Sequence, residues 1–386
     1  MTSAFKHSLK LDLPVYPFAD LERKASAIRK SGKTLYNLSI GDPDLEPPDF
    51  VVDAVKNALD DPKSHFYPSC RGDMEVRKSV ARWFKGRFGV SIDPETQVCL
   101  TIGCKEALSQ IAKAVVDPGD IVAVPEPSYP VYGRAGCKFV DGKCLTLPLT
   151  AENNFLPDLS SISNSNIKLL YLNYPNNPTG AEAPETFLKE LGKFVDKNPE
   201  LTLAYDMAYS EMYFGYPPHS ILEFTPNAIE FHSLSKMASA TGYRIGFAVG
   251  EPSLIAAFIK VKEEIDSGAP YPFQKALSAM LDAYEGIIAP EQLIAYRSIY
   301  QARKSSLIAS LEKQGISVYH SNATFYLWFF IGGDEMPFIN KALQEGLLLT
   351  PGSGFGKSGK GWVRASVTAP DVDIEAAANI IAKLDV

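Results

Sequence analysis

Along this chain, short apolar runs alternate with longer amphipathic stretches. Val98 to Ile102, Asp120 to Val124, Ile167 to Leu172, Leu201 to Tyr205, Ala228 to His232 and Ile245 to Val249 read as buried strands. Phe50 to Leu59 behind Asp49, Met74 to Phe88, Glu106 to Val115 and Pro184 to Asp196 carry helical spacing, with Asp49 the expected N-cap of the first. Strands alternating with helices predict a mainly parallel sheet covered on both faces, an α/β fold. From Pro252 onward the pattern turns helical: Pro252 to Glu264, Phe273 to Tyr284 and a long helix from Pro290 to Gln314. Strands at Ile316 to His320, Tyr326 to Ile331 and Trp362 to Val367, with helices at Glu335 to Gln344 and Val372 to Leu384, complete an α+β tail.

Near the start, Pro14 and Pro17 break early helix, Asp20 to Ser31 has helical spacing and Leu35 to Ile40 is a short strand. The Gly/Pro-rich connector Gly41-Asp-Pro-Asp-Leu-Glu-Pro-Pro48 follows and marks a domain junction. A chain of 386 residues exceeds one simple core. We therefore expect an N-terminal arm with part of a small domain over 1–45, a large domain over 46–285 and a C-terminal small domain over 286–386.

Polar residues concentrate just past the strand ends. Gly103-Cys104-Lys105 follows the first strand, Tyr129 the second, Asn177 the third, Asp206 and Tyr209 the fourth, and Ser233 and Lys236 the fifth. In open α/β sheets that edge is where ligands bind. A strand, a small-residue turn and a helix start make an anion cradle at residues 103–105. In Ser233-Leu-Ser-Lys236-Met-Ala-Ser-Ala-Thr-Gly242-Tyr-Arg244, a lysine and an arginine lie between two apolar runs. Read alone, this is either a solvated loop or a reactive lysine beside a phosphate site.

Charge and composition narrow the classes. The net charge of -7 argues against a general nucleic-acid surface, and no apolar run approaches a membrane span of about 18 residues. Residues 1–13 mix charges with apolar residues and lack the apolar core of a signal peptide, so a cytoplasmic location is expected. Cys70, Cys99, Cys104, Cys137 and Cys144 fit no zinc spacing and read as free thiols; the five histidines are scattered, and no metal site is expected.

Asn177-Pro-Thr-Gly180, Asp206-Met-Ala-Tyr209, Ser233-Leu-Ser-Lys236 with Arg244, and Arg364 together resemble the class I/II aminotransferases, pyridoxal-phosphate enzymes of fold type I. The resemblance covers nearly the whole chain. It implies pyridoxal 5′-phosphate as cofactor and a ping-pong exchange between an amino acid and a 2-oxo acid. By resemblance, Lys236 forms the Schiff base with the cofactor and shuttles the proton. Asp206 pairs with the pyridine nitrogen, Asn177 and Tyr209 bond the ring oxygen, and Tyr129 stacks on the ring. Gly103, Cys104, Lys105, Ser233 and Arg244 hold the phosphate, joined by Tyr67 lent from a neighbouring subunit, which implies a homodimer with shared active sites. Arg364 grips the substrate α-carboxylate, with Asn177 and the Gly41 backbone contacting the substrate. Lys105 either supports the phosphate or meets a distal carboxylate.

Tyr16-Pro-Phe, Ile40-Gly-Asp-Pro-Asp-Leu, His232-Ser-Leu-Ser-Lys and Ile265-Asp-Ser-Gly268 resemble the LL-diaminopimelate branch, whereas Pro270-Tyr-Pro-Phe273 resembles other class I members. Expected donors are LL-diaminopimelate or aspartate, with 2-oxoglutarate as acceptor. A carbon–sulfur β-lyase on the same fold is the alternative. A non-enzymatic ligand-sensing domain of a transcription regulator fits less, because no basic recognition helix precedes the fold.

Overall fold

The computed structural model describes residues 8–11, 13, 17–30, 32–163 and 165–384. Pro14 and the Tyr16 of the Tyr16-Pro-Phe motif lie outside the described residues. Pro17 opens the helix Pro17–Lys30 rather than breaking it, in keeping with proline's tolerance of a first helical turn. The expected strand at 35–40 shrinks to β1 (Tyr36–Asn37). Beyond it the backbone bonds laterally instead: the Leu38 carbonyl accepts from the Ser366 amide at 2.7 Å.

Seven strands follow: β2 (Val98–Thr101), β3 (Ile121–Glu126), β4 (Lys143–Pro148), β5 (Ile167–Asn173), β6 (Thr202–Asp206), β7 (Ala228–Ser233) and β8 (Gly246–Gly250). They form one sheet in the order β2-β8-β7-β6-β5-β3-β4, in which β8 alone runs against the rest. The expected mainly parallel sheet is therefore present. β4 escaped the reading of the sequence because it is an edge strand with mostly exposed residues, so no continuous apolar run marks it.

Alternate residues feed the two faces of this sheet. Leu203 and Tyr205 face one, beneath helices Asp49–Leu59, Met74–Phe88 and Tyr271–Asp282; Ala204 faces the other, beneath Cys104–Val115 and Pro252–Glu263. The helix ends follow local chemistry. Asp73 accepts from the Glu75 amide to start Met74–Phe88, and Gly89, at φ 71°, ends it. The expected N-cap Asp49 is instead the first helical residue after Pro48 and makes no side-chain cap; its charge there still favours the helix dipole.

A second core gathers Leu307, Phe329, Val363 and Ile374 with Ala25 and Leu38 from the N-terminal segment. Its sheet joins β9 (Ser317–Tyr319), β10 (Tyr326–Phe330), β12 (Thr350–Pro351) and β13 (Trp362–Ser366), all antiparallel, while β11 (Leu347–Leu348) pairs in parallel with β1. The helix Glu291–Lys313 bridges the cores through a buried charge hub. Glu211 accepts from Arg87 Nε at 3.1 Å, Arg297 Nη2 at 3.0 Å and the Tyr284 hydroxyl at 2.8 Å. Among the described helices none is long and apolar enough to cross a membrane.

Candidate active site

A cavity of about 650 Å3 opens at the carboxyl edge of the large sheet, against the second core. Its lining includes Gly41, Cys104, Lys105, Tyr129, Asn177, Asp206, Tyr209, Ser233, Lys236, Arg244 and Arg364. Residues from Cys104 to Lys236 meet because parallel strands deliver their ends to one edge, while Gly41 and Arg364 come to that edge from the connector and from β13. Gly103 adjoins the lining. Tyr67 does not reach the cavity and is 90% exposed in the single chain.

One end is built for an anion. The helix Cys104–Val115 starts two residues earlier than its spacing predicted, because Gly103 turns the chain at φ 83°. That helix opens without a side-chain cap, and a Cβ on Gly103 would stand 2.8 Å from Arg244 Nη2. Arg244, itself at φ 51°, donates to the Thr241 carbonyl at 2.9 Å and the Ile102 carbonyl at 3.3 Å. Its guanidinium is thereby fixed against the turn. Ser233 caps the short helix Leu234–Met237 by accepting from the Ser235 amide at 3.2 Å, which presents the hydroxyls and Lys236 on one connector.

The other end holds a carboxylate. Asp206 closes β6, where its Oδ2 accepts from the Tyr132 hydroxyl at 2.8 Å and its Oδ1 from the Ala208 amide at 3.0 Å. Burial pushes its pKa up to about 6, against those two bonds and the nearby His232. Asp206 is in no ion pair among the described residues, so a buried acid faces the cavity ready for a cation from a ligand. Asn177 Nδ2 lies 3.5 Å from the Tyr209 hydroxyl, which lies 2.9 Å from the Tyr326 hydroxyl.

Lys236 stands between the ends. Its Nζ donates to the Gly41 carbonyl at 2.7 Å. Burial lowers its pKa to about 8, Asp42 opposes the shift, and Arg244 and Arg364 reinforce it. Arg364 donates to Asn177 Oδ1 at 2.8 Å and to the Ser39 carbonyl at 2.6 Å, with its guanidinium 4.3 Å from the Tyr326 ring centre. Ser39, Asp42, Tyr132, Ser235, Thr241, Tyr326 and Phe355 were not singled out from the sequence. Ser235, Thr241 and Tyr132 lay inside stretches already marked by their position past a strand. Tyr326 arrives from the second core and Phe355 from the turn after β12, packed against Trp328, both with no local signal. Among the described residues no three His, Cys, Asp or Glu side chains gather as a metal site.

These residues fit the pyridoxal 5′-phosphate that the resemblance implies: an anion cradle that a Cβ would fill at one end, a buried acid with no ion pair among the described residues at the other, and a buried amine with them.

The profile of the family described as aminotransferase class I and II matches residues 33–381. The LL-diaminopimelate aminotransferase of Aquifex aeolicus is 43% identical, over 98% of this chain and 99% of that protein. The LL-diaminopimelate aminotransferase of Oleidesulfovibrio alaskensis is 40% identical, over 96% of this chain and 97% of its own. Among solved structures, Thermus thermophilus aspartate aminotransferase with maleate superposes with a TM-score of 0.90 at 26% identity, covering 98% of this chain and 99% of that one. Substrate-bound BacF from Bacillus subtilis superposes with a TM-score of 0.90 at 31% identity, covering 99% and 98%.

Proposed function

The chain belongs to the class I and II aminotransferases, fold type I enzymes that exchange amino groups between amino and 2-oxo acids, and we propose that its cavity binds pyridoxal 5′-phosphate and takes LL-diaminopimelate as amino donor. The observation that carries the cofactor assignment is the charge layout, with the Arg244 cradle and the buried Asp206 on either side of Lys236. When bound, the cofactor supplies an electron sink for the carbanion formed at the substrate's α-carbon.

In this reading the chain's own groups divide the work. Gly103, Cys104, Lys105, Ser233 and Arg244 hold the phosphate. Asp206, oriented by Tyr132 and the Ala208 amide, keeps a proton on the ring nitrogen. Asn177 and Tyr209 would bond the ring oxygen, and Tyr129 would cover the ring face. Lys236 would be the covalent anchor and, as a free amine, the base that takes the α-proton. Its lowered pKa supports that role, because an amine near 8 is partly unprotonated at neutral pH. Arg364 receives the α-carboxylate as a fork, with Asn177 and the Gly41 backbone beside it.

Lys105, exposed at the cavity rim, either adds its side chain to the phosphate site or meets the distal carboxylate of the donor. The names of the Aquifex and Oleidesulfovibrio relatives favour diaminopimelate; the Thermus structures keep aspartate as the second donor. A 2-oxo acid such as 2-oxoglutarate is the acceptor. The exposed Tyr67 supports a homodimer in which that tyrosine reaches the neighbour's phosphate. Five free cysteines support a reducing, cytoplasmic setting, and the core that joins Ala25 and Leu38 mainly to residues after 300 supports a small domain built from both ends of the chain.

The test is a half-reaction without acceptor, with LL-diaminopimelate and aspartate added separately while the cofactor's absorbance is followed. Conversion to the amine form with diaminopimelate alone is expected. Conversion with aspartate alone would make this an aspartate aminotransferase, and pyruvate release from cystathionine would favour the β-lyase.

A further inference from the structure

Behind the anion cradle lies a buried charge cluster that the proposed chemistry does not use. Lys262, fully buried at the end of the helix Pro252–Glu263, places Nζ 2.6 and 2.7 Å from the two Asp266 oxygens and 3.6 Å from Glu106 Oε1. Glu106 sits in the first turn of Cys104–Val115, and its Oε2 accepts from the Ile102 amide at 3.2 Å. Oε1 is buried and has no hydrogen bond. The Ile102 carbonyl meanwhile accepts from Arg244. The residue entering the turn is therefore held from behind by Glu106 and from the cavity side by Arg244.

The groups facing Glu106 are Lys262 from the helix Pro252–Glu263, Asp266 from the turn just past that helix, Cys99 from β2 and Cys104 from its own helix. With both carboxylates ionised and Lys262 charged, the cluster carries a net -1; a proton on Glu106 brings it to zero. Burial pushes Glu106 up to about 7, so both forms are populated near neutrality. A phosphate on the turn Gly103–Lys105 is repelled by the first form and not by the second.

We propose that Glu106 is a positioning residue for the cofactor phosphate and that phosphate binding at this turn draws a proton onto it. The inference rests on the reading that the cavity takes pyridoxal phosphate. Glu106→Gln keeps an oxygen for the Ile102 amide and fixes the neutral form.

The experiment uses protein stripped of cofactor and pyridoxamine 5′-phosphate, whose amine cannot condense with Lys236. Its Kd is measured by calorimetry at about pH 6 and about pH 8.5 for wild type and Glu106→Gln. The ratio of wild-type to variant Kd should rise on the order of tenfold between the two pH values, as one unit charge does at short range in a partly shielded site. The phosphate's own titration cancels in that ratio. Unphosphorylated pyridoxamine should show no such rise, and proton uptake on binding should be larger in wild type than in the variant. A second variant, Lys262→Met, should weaken the phosphorylated ligand and spare pyridoxamine. A ratio that stays flat, or that rises equally for pyridoxamine, overturns the proposal. Wild type that binds neither ligand at any pH overturns the cofactor reading itself.

Discussion

The Tyr132 hydroxyl donates to Asp206 Oδ2 at 2.8 Å in a fully buried pocket behind the cavity. That bond favours the ionised acid, while burial favours the protonated one and raises its pKa to about 6. Tyr132→Phe removes the opposing contribution, so Asp206 should titrate higher still. The acid-side loss of cofactor affinity should move to higher pH in the variant. kcat/KM should fall by about tenfold, the size of one lost hydrogen bond to a charged group. A pH series of cofactor titrations checks the shift; an unmoved acid limb would remove Tyr132 from the account.

Lys236 should be the indispensable amine. Lys236→Ala should lower transamination by about 10^4-fold or more, since both the anchor and the base are lost. Burial lowers the amine's pKa to about 8, and only the unprotonated amine attacks an aldehyde. In wild type the rate of loading pyridoxal phosphate into stripped protein should therefore climb as pH rises through about 8, then level. Stopped-flow absorbance measures that rate. A rate independent of pH from 7 to 9.5, roughly the span over which such a group titrates, would assign the titration elsewhere.

Glu211 should matter for stability more than for chemistry. It is the one acid shared by Arg87 and Arg297, and its side chain has no exposure. Glu211→Gln leaves two largely buried guanidinium groups facing a neutral amide, which should destabilise the protein by about 3–5 kcal/mol. Chemical denaturation of holoprotein should show the drop. Loss of activity with unchanged stability would mean that the hub acts on Tyr209 rather than on the junction between cores.

The site was legible where it follows the strand ends, and illegible where it depends on packing. Lys236, Asp206 and Asn177 stand out because each is a polar residue in the short connector past an apolar run, and the sheet's direction brings such positions together. Tyr132 is one helical turn further on, and nothing local says that its hydroxyl points back to Asp206. Tyr326 looks like an ordinary strand aromatic; only the docking of β10 against the cavity gives its hydroxyl the Tyr209 partner. β4 was missed for the converse reason, since an exposed edge has no need of apolar residues. Asp49 shows how a good cap residue can lose the position to its neighbour, Pro48, one step earlier.

The reversed strand β8 has a mechanical consequence. Ser233 stands opposite Gly246 in the ladder, so residues 234–245 form a loop pinned at both ends by paired strands. The amine of Lys236 and the guanidinium of Arg244, proposed here as cofactor anchor and phosphate ligand, ride on that one loop, with no crossover helix to absorb a change in its length. Adding or deleting a residue there would displace both groups together, whereas the same change in the mostly exposed run 197–200, between the helix Glu185–Asp196 and the start of β6, would leave the cavity largely alone. The tightest constraint on this connector is thus its length, and alteration by substitution is open to it in a way that alteration by insertion is not.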